Sequence, residues 1–369
     1  MTGPGSPPLV IAQMLESDGP GGAEVVVLRL GEALRARGHE VVPVGPARGC
    51  GWLAQQFRDR GFEPETFDLH RPLDWRCLRG MVDMLRRRRV DIVHSHEFTM
   101  AVYGTAAARW IRRPHVITMH GNQRMTSRWR RRQLLRGAFR WSDATVAVSH
   151  DTKRHLDAEI GLAPRVVRIV PNGVPVPAGE RGRLRATLGV PENALVVAAM
   201  GSLVPRKGHA VLIRALAAEA GLPWRLVIAG GGPEREPLQA LARELRVDER
   251  VHLLGHRDDI GDILAAADIF AMPSLWEGLP LALLEAMATG KPVVASATSG
   301  IPEAITPEVE GLLTPPGDID ALRRALGRLL CDPVLRQQLG ARAAGRAAAE
   351  FSIRAMTDRY ESLYYAVGG

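Results

Sequence analysis

The stretch "SLWEGLPLALLEAMATGKPVVAS", residues 274–296, sets two carboxylates, Glu277 and Glu285, eight positions apart along an apolar run. Apolar runs are usually buried, and a carboxylate is rarely buried without a partner. The pattern around it reads as a strand ending near Met272, a turn, a helix starting around Pro280, and another strand. Proline suits the first turn of a helix, where its missing N–H costs nothing. A helix start offers N–H groups and a positive dipole end to an anion. A phosphate would use that helix start. Sugar hydroxyls would use the two acceptor-only carboxylates. Spacing alone leaves a plainer alternative open, a capping acid beside a solvated one.

Other residue groups invite similar chemistry. In "GSLVPRKG" (201–208), Arg206 and Lys207 follow an apolar run and could neutralise a pyrophosphate. Arginine would give a planar fork and lysine a point charge; a solvated basic turn is the alternative. "GPGGAE" (19–24) places glycines where backbone could approach a ligand closely. It is not GxGxxG, and an ordinary tight turn fits too. His120 follows the apolar run 115–119, at a strand end where a catalytic cleft would open; a structural histidine is its alternative. "HSHE" (94–97) puts His94 and His96 on one side of a strand. No further ligands cluster nearby in sequence, so no metal is expected there. "DID" (318–320) follows "PPG" and opens a helix, which suits an N-cap.

These residues need a scaffold. A chain of 369 residues exceeds one ordinary core, so two domains are expected. Strand patterns at 9–14, 41–44, 91–94, 115–119, 144–148 and 166–169 alternate with helical ones, such as "AEVVVLRLGEALRARG" (23–38). "PNGVPVPAGERGRL" (171–184) reads as a linker. The alternation resumes with strand patterns at 195–200, 225–229, 251–254, 269–272 and 293–295, and helical ones at 332–350 and 353–367. Strand–helix alternation means parallel sheets covered on both faces. Ligands in such sheets bind at the carboxyl ends of the strands. The expected division is 1–175, 176–350 and a last helical segment, 351–369.

Charge is uneven. Residues 1–178 hold 27 Lys+Arg against 17 Asp+Glu, whereas residues 179–369 hold 21 against 23. The basic half should meet something anionic: a phospholipid headgroup or a lipid-linked phosphate before nucleic acid. "RWRRRQLLRGAFRW" (128–141) interleaves arginines with aromatics, and "RRRR" fills 86–89. A basic amphipathic helix with aromatics reads as a membrane-surface contact, through Arg86–Arg89 and Arg128–Arg140. A helix with a solvated basic face reads equally well. Cys50, Cys77 and Cys331 form no CxxC, which suits a reducing cytoplasm. "LVIAQML" (9–15) has neither a basic lead nor a cleavage site, so no signal peptide is expected.

Taken in order, "GPGGAE", "DIVHSH", "TMHG", "VAVSH", "VPNGV", "GSLVPRKG", "AGGGP", "LLGH", "EGLPLALLEAMATGKPVVA" and "SGIPE" closely resemble the retaining glycosyltransferases of family four, with their E-x7-E motif. The resemblance covers most of the chain. It implies the GT-B fold, two doubly wound Rossmann-like domains facing across a cleft, with the last helix crossing back to the first domain. It also implies transfer of a sugar from a nucleotide-sugar, UDP by first guess, to a hydroxyl of a saccharide or lipid-linked acceptor. The implied catalytic set is His120, Glu277, Arg206 and Lys207. The implied donor-binding set is Gly21, Gly22, Gly201, Ser202, Gly255, His256, Gly278, Leu279, Leu281, Glu285 and Glu303. The family usually has arginine where this chain has Ser202, and Arg206 is the candidate to supply that guanidinium.

No cofactor beyond the nucleotide-sugar co-substrate and no metal are expected, since lysine and arginine can stabilise the leaving pyrophosphate. A cytoplasmic enzyme of cell-surface glycan or glycolipid synthesis, peripheral on the inner membrane face, follows from the resemblance. Two rivals stand beside it. One is a nucleotide-sugar epimerase on the same fold. The other is a catalytically silent basic protein that docks on membrane or RNA.

Overall fold

The computed structural model describes residues 7–49, 51–121, 129–161 and 167–368. Cys50, Arg128 at the head of the basic run, and Val166 at the start of an expected strand lie outside the described residues. The chain divides into two compact units: Met1–Gly173 with Ile353–Gly369, and Val174–Ser352.

The first unit is built on seven strands: β1 Val10–Met14, β2 Glu40–Pro46, β3 Glu65–Phe67, β4 Ile92–His96, β5 His115–Met119, β6 Ala144–Ala147 and β7 Val167–Ile169. All pair in parallel, in the order β3-β2-β1-β4-β5-β6-β7. Every residue of β4 and β5 is buried, as a parallel sheet covered on both faces requires. One face packs Met81, Leu85, Tyr103 and Ala107 against Val93. The other packs Leu135, Phe139 and Leu156 against Ile117. Register sets Gln13 beside His94 and His96 beside Thr118.

The second unit has six strands: β8 Leu195–Met200, β9 Trp224–Ala229, β10 Val251–Gly255, β11 Ile269–Met272, β12 Val293–Ser296 and β13 Gly311–Thr314. They also pair in parallel, ordered β10-β9-β8-β11-β12-β13. Its core gathers Trp224, Leu212, Leu226, Ile269 and Leu326. The strand order reverses between β8 and β11, which makes their carboxyl ends the place for a ligand.

Two strands escaped the sequence reading. β3 (ETF) and β13 (GLLT) are three and four residues long, at the sheet edges, too short to show a period. The linker reading also ran too far. Arg181–Thr187 is helical, so the last four residues of 171–184 belong to a helix. Pro280 is the residue before the helix Leu281–Ala288, rather than part of its first turn.

The closing helix Ile353–Gly368 belongs to the first unit. Arg37, just past the helix Gly22–Ala36, donates to Asp358 at 2.6 Å and Glu361 at 2.7 Å. Tyr360 and Tyr364 are buried beneath β4 and β5 (hydroxyl to Thr118 Oγ1, 3.0 Å; hydroxyl to His94 Nδ1, 2.7 Å).

Gly208 shows how tightly the second unit holds its site loops. Its φ is +68°, and an added Cβ would stand 2.0 Å from the carbonyl oxygen of Pro273. Gly208→Ala therefore meets strain and a backbone clash together. We expect it to cost about 2 to 4 kcal/mol. Thermal unfolding should show the second unit melting several degrees lower; an unchanged midpoint would mean that the two loops separate freely.

Candidate functional site

In the second unit, the loop after β8 carries Gly201, Ser202 and the short turn Pro205–Lys207. The loop after β11 carries Glu277, Gly278 and Leu279 into the helix Leu281–Ala288. Leucine, alanine and methionine favour that helix, and Leu283, Leu284, Ala286 and Met287 bury its inner face. Lys207 Nζ donates to Glu277 Oε1 at 2.5 Å. Arg206 Nη1 stands 3.7 Å from Glu277 Oε2. The Arg206 guanidinium also lies over the Trp276 ring, 4.8 Å from its centre. The Lys207 stem crosses Gly201, where an added Cβ would sit 3.1 Å from Cε.

The two loops are tied by further bonds. The backbone N–H of Leu275 donates to the Arg206 carbonyl at 2.7 Å, and that of Glu277 donates to Ser299 Oγ at 3.1 Å. Glu277 is only 7% exposed, against 39% for Arg206. Two cations thus face one carboxylate, and a positive charge is left for an anion. An ammonium has three N–H donors, of which Glu277 takes one at Lys207.

The other expected donor-binding residues surround this pair at different distances along the sheet. Glu285 is buried in the helix that opens at Leu281. Glu303 is part-buried in the short helix Ile301–Ala304, and the N–H of Gly300 before it donates to the Gly278 carbonyl at 3.1 Å. Gly255 closes β10 at the sheet edge, with its carbonyl accepting the Gly230 N–H at 2.8 Å. His256 follows, mostly exposed. From β10 to β11 is three strand spacings, about 14 Å, so Gly255 and the ion pair lie apart along one row of strand ends.

In the first unit, Gly21 is the N-cap of the helix Gly22–Ala36, at the end of β1. His120 directly follows β5, two strands away. His120 Nε2 and His96 Nδ1 share a hydrogen bond of 2.9 Å. The His120 backbone N–H donates to Glu97 Oε1, also at 2.9 Å. Burial drives the His120 imidazole down to about 4 and His96 well below its ordinary value, so both rings are neutral at pH 7. His94 has both ring nitrogens engaged, by Thr118 Oγ1 at 2.8 Å and by the Tyr364 hydroxyl. It is a core residue. No cluster of metal-ligating side chains occurs among the described residues. Asp318 accepts the Ala321 N–H at 2.8 Å, which makes "DID" a helix cap.

Four contributors were missed in the sequence: Ser299, Trp276, Glu97, and His96 as the partner of His120. Glu97 had the clearest hint, since an acid directly after a buried strand needs a donor. Its positive φ of 65° and its bond to His120 appear only in the fold.

Comparison with known proteins gives a consistent picture. The model of the glycosyl transferases group 1 matches residues 180–346, and that of glycosyltransferase family 4 matches residues 20–176. A UDP-Gal:alpha-D-GlcNAc-diphosphoundecaprenol alpha-1,3-galactosyltransferase of Escherichia coli is 32% identical over 283 residues, 71% of this chain and 72% of that protein. A D-inositol 3-phosphate glycosyltransferase of Saccharomonospora viridis is 34% identical over 338 residues, 86% and 75% of the two chains. Among solved structures, HepE of Anabaena in complex with UDP and glucose has a TM-score of 0.84 at 23% identity, over 96% of this chain and 99% of that one. WaaG, a glycosyltransferase involved in lipopolysaccharide biosynthesis, has a TM-score of 0.72 at 20% identity, over 97% and 100%.

Glu97 carries a pH signature. Its carboxyl lies in the interior, and burial pushes it up to about 7 from 4.5, with a smaller push from Glu24. The native state therefore prefers the protonated acid. That stability is complete below pH 4.5 and is lost as pH rises through about 7. Glu97→Gln keeps an acceptor for the His120 N–H without the charge. Urea unfolding at pH 5 and pH 8 should show the variant gaining on the parent as pH rises, by on the order of 3 kcal/mol at most. A gap that does not change with pH would refute the assignment.

Proposed function

The chain belongs to the family-four glycosyltransferases of the GT-B fold, and from that premise we propose that it is a retaining transferase that moves a sugar from a UDP-sugar to a hydroxyl of a saccharide or lipid-linked acceptor. The observation that carries this reading is the Lys207–Glu277 contact of 2.5 Å with Arg206 beside it. A buried carboxylate holds two cations in place, and their surplus charge is available to a leaving diphosphate. Charge develops there as the bond from the anomeric carbon to the phosphate oxygen breaks. Preorganised cations stabilise it without reorganising, commonly the largest catalytic contribution.

The remaining roles follow the row of strand ends. Backbone groups at Gly255 and His256 take the base. Glu285 accepts from the ribose hydroxyls. Gly201, Ser202 and the helix start at Leu281 approach the phosphates, with Gly278, Leu279 and Glu303 around the donor. Glu277 and His120 position the sugar, and Gly21 and Gly22 let backbone approach the substrates. Arg206 supplies the guanidinium that Ser202 lacks. Retention arises by same-face displacement: the acceptor oxygen bonds to the anomeric carbon, and its proton passes to the leaving phosphate. No resident metal is required. The UDP named for HepE and the lipid diphosphate acceptor named for the Escherichia coli relative support the substrate class.

We place the membrane contact on the helix Trp129–Trp141. Trp129, Leu134 and Trp141 are exposed on it, at 69%, 42% and 59%, and it carries no acid. The Arg86–Arg89 run is a poorer candidate, because Arg87 and Arg88 are engaged by Glu65 and Glu63. No helix among the described residues is long and apolar enough to cross a membrane. We propose a peripheral contact, on the cytoplasmic face.

The decisive experiment offers a panel of nucleotide-sugars without acceptor, with and without chelator, and measures nucleotide release. Slow release of UDP from one donor is expected, unchanged by chelator and reduced at least tenfold in Glu285→Gln. Conversion of the sugar without release would point to an epimerase. Silence with acceptor lipid also present would favour the docking protein. In a separate assay, vesicles containing phosphatidylglycerol should sediment the parent protein, and the double variant Trp129→Ala, Trp141→Ala should bind several-fold more weakly. Equal binding would remove the helix from the contact.

A further inference from the structure

The histidines at the ends of β4 and β5 hold something that the transfer chemistry does not use. His96 Nδ1 and His120 Nε2 are 2.9 Å apart, with the two rings nearly parallel at 22°. Their outer nitrogens, His96 Nε2 and His120 Nδ1, are shielded from solvent and have no hydrogen-bond partner among the described residues. A buried polar atom left unpaired is costly and calls for a ligand or a water. We propose that His96 and His120 act as one two-ring unit, in which His96 is a positioning residue that sets the tautomer of His120 and so presents His120 Nδ1 to a hydroxyl of the donor sugar.

The proton count drives the argument. Two neutral imidazoles carry one N–H each, and one of these protons lies in the shared bond. If His96 Nδ1–H donates, His120 keeps its proton on Nδ1 and offers a donor. If His120 Nε2–H donates, His120 Nδ1 is bare and offers an acceptor, while His96 carries its proton on Nε2. Passing from the first form to the second moves one proton across the shared bond. It also releases one proton at His120 Nδ1 and takes one up at His96 Nε2, with water as the carrier when the strand ends open locally. The total is unchanged. A hydroxyl suits both forms, because it donates and accepts. A phosphate or carboxylate suits only the first.

The surroundings keep both rings in place. The His94 ring packs 4.1 Å from that of His96, and His94 is itself clamped at both nitrogens. Its clamps lead to Tyr360 and Tyr364 on the closing helix. Glu97 fixes the backbone of His120. The His96 ring therefore has one bonding direction toward His120 and little freedom to leave it.

The inference rests on the reading of His120 as a donor-sugar contact, and the test separates the two. His96→Phe keeps a ring but removes the shared bond. His96→Gln restores an amide that can donate to His120 Nε2. With the UDP-sugar that the parent hydrolyses, His96→Phe should lower kcat at least tenfold and leave inhibition by UDP unchanged, and His96→Gln should recover much of the loss. Full turnover in His96→Phe, with His120→Ala inactive, overturns the pair and spares His120. Full turnover in His120→Ala overturns the role of His120 at the sugar. The pair is then judged by nitrogen-15 side-chain spectra of the parent, which should show one shared proton coupled to His96 Nδ1 and His120 Nε2. Independent signals from the two rings overturn it, and this readout requires no variant to fold.

Discussion

A carboxylate that is 7% exposed needs a partner for its charge, and in the second unit the arrangement of the site loops follows from Lys207 answering Glu277. The two residues come from loops 70 positions apart in sequence. Only a sheet whose order reverses between β8 and β11 sets those loops side by side. The loops must then approach without side chains between them, which is why glycine stands at 208 under the Pro273 carbonyl. Breaking one half of such a pair leaves an uncompensated buried charge, far more costly than losing a surface ion pair.

The first unit solves a different problem. Its row of histidines on β4 and β5 lies in a sheet buried on both faces. Burial keeps the rings neutral, so they are useful as hydrogen-bonding groups and poor as charges. Hydroxyls satisfy His94 and His115 from within: Thr118, Tyr364, and Ser95, whose Oγ is 2.8 Å from His115 Nε2. The two tyrosines arrive from the far end of the chain, so the closing helix completes a polar network that β4 and β5 begin. The units thus present opposite chemistry at their strand ends, surplus positive charge in one and neutral nitrogen in the other.

Much of this was legible in the residues. Alternating apolar runs and helical periods dictate two parallel α/β sheets, because each strand must bury both faces and each helix one. The order of motifs dictated the family. The spacing of Glu277 and Glu285 singled out the helix start, and the position of Lys207 singled out the phosphate loop. What periodicity could not carry was the short edge strands at 65–67 and 311–314, where pairing to a neighbour, and not the local pattern, makes the strand.

Tertiary structure alone decided the partnerships. That Glu277 meets Lys207 and Arg206, that "HSHE" splits into a core histidine, a histidine paired to His120 and an acid on its backbone, and that Arg87 and Arg88 are neutralised while the helix 129–141 keeps exposed tryptophans are facts of long-range contact. The physical reason is common to all three. A side chain's type sets what it can bond, and local sequence sets which way it faces. Which group fills that bond depends on residues brought in from 20 or more positions away, and for His94 from 270 away.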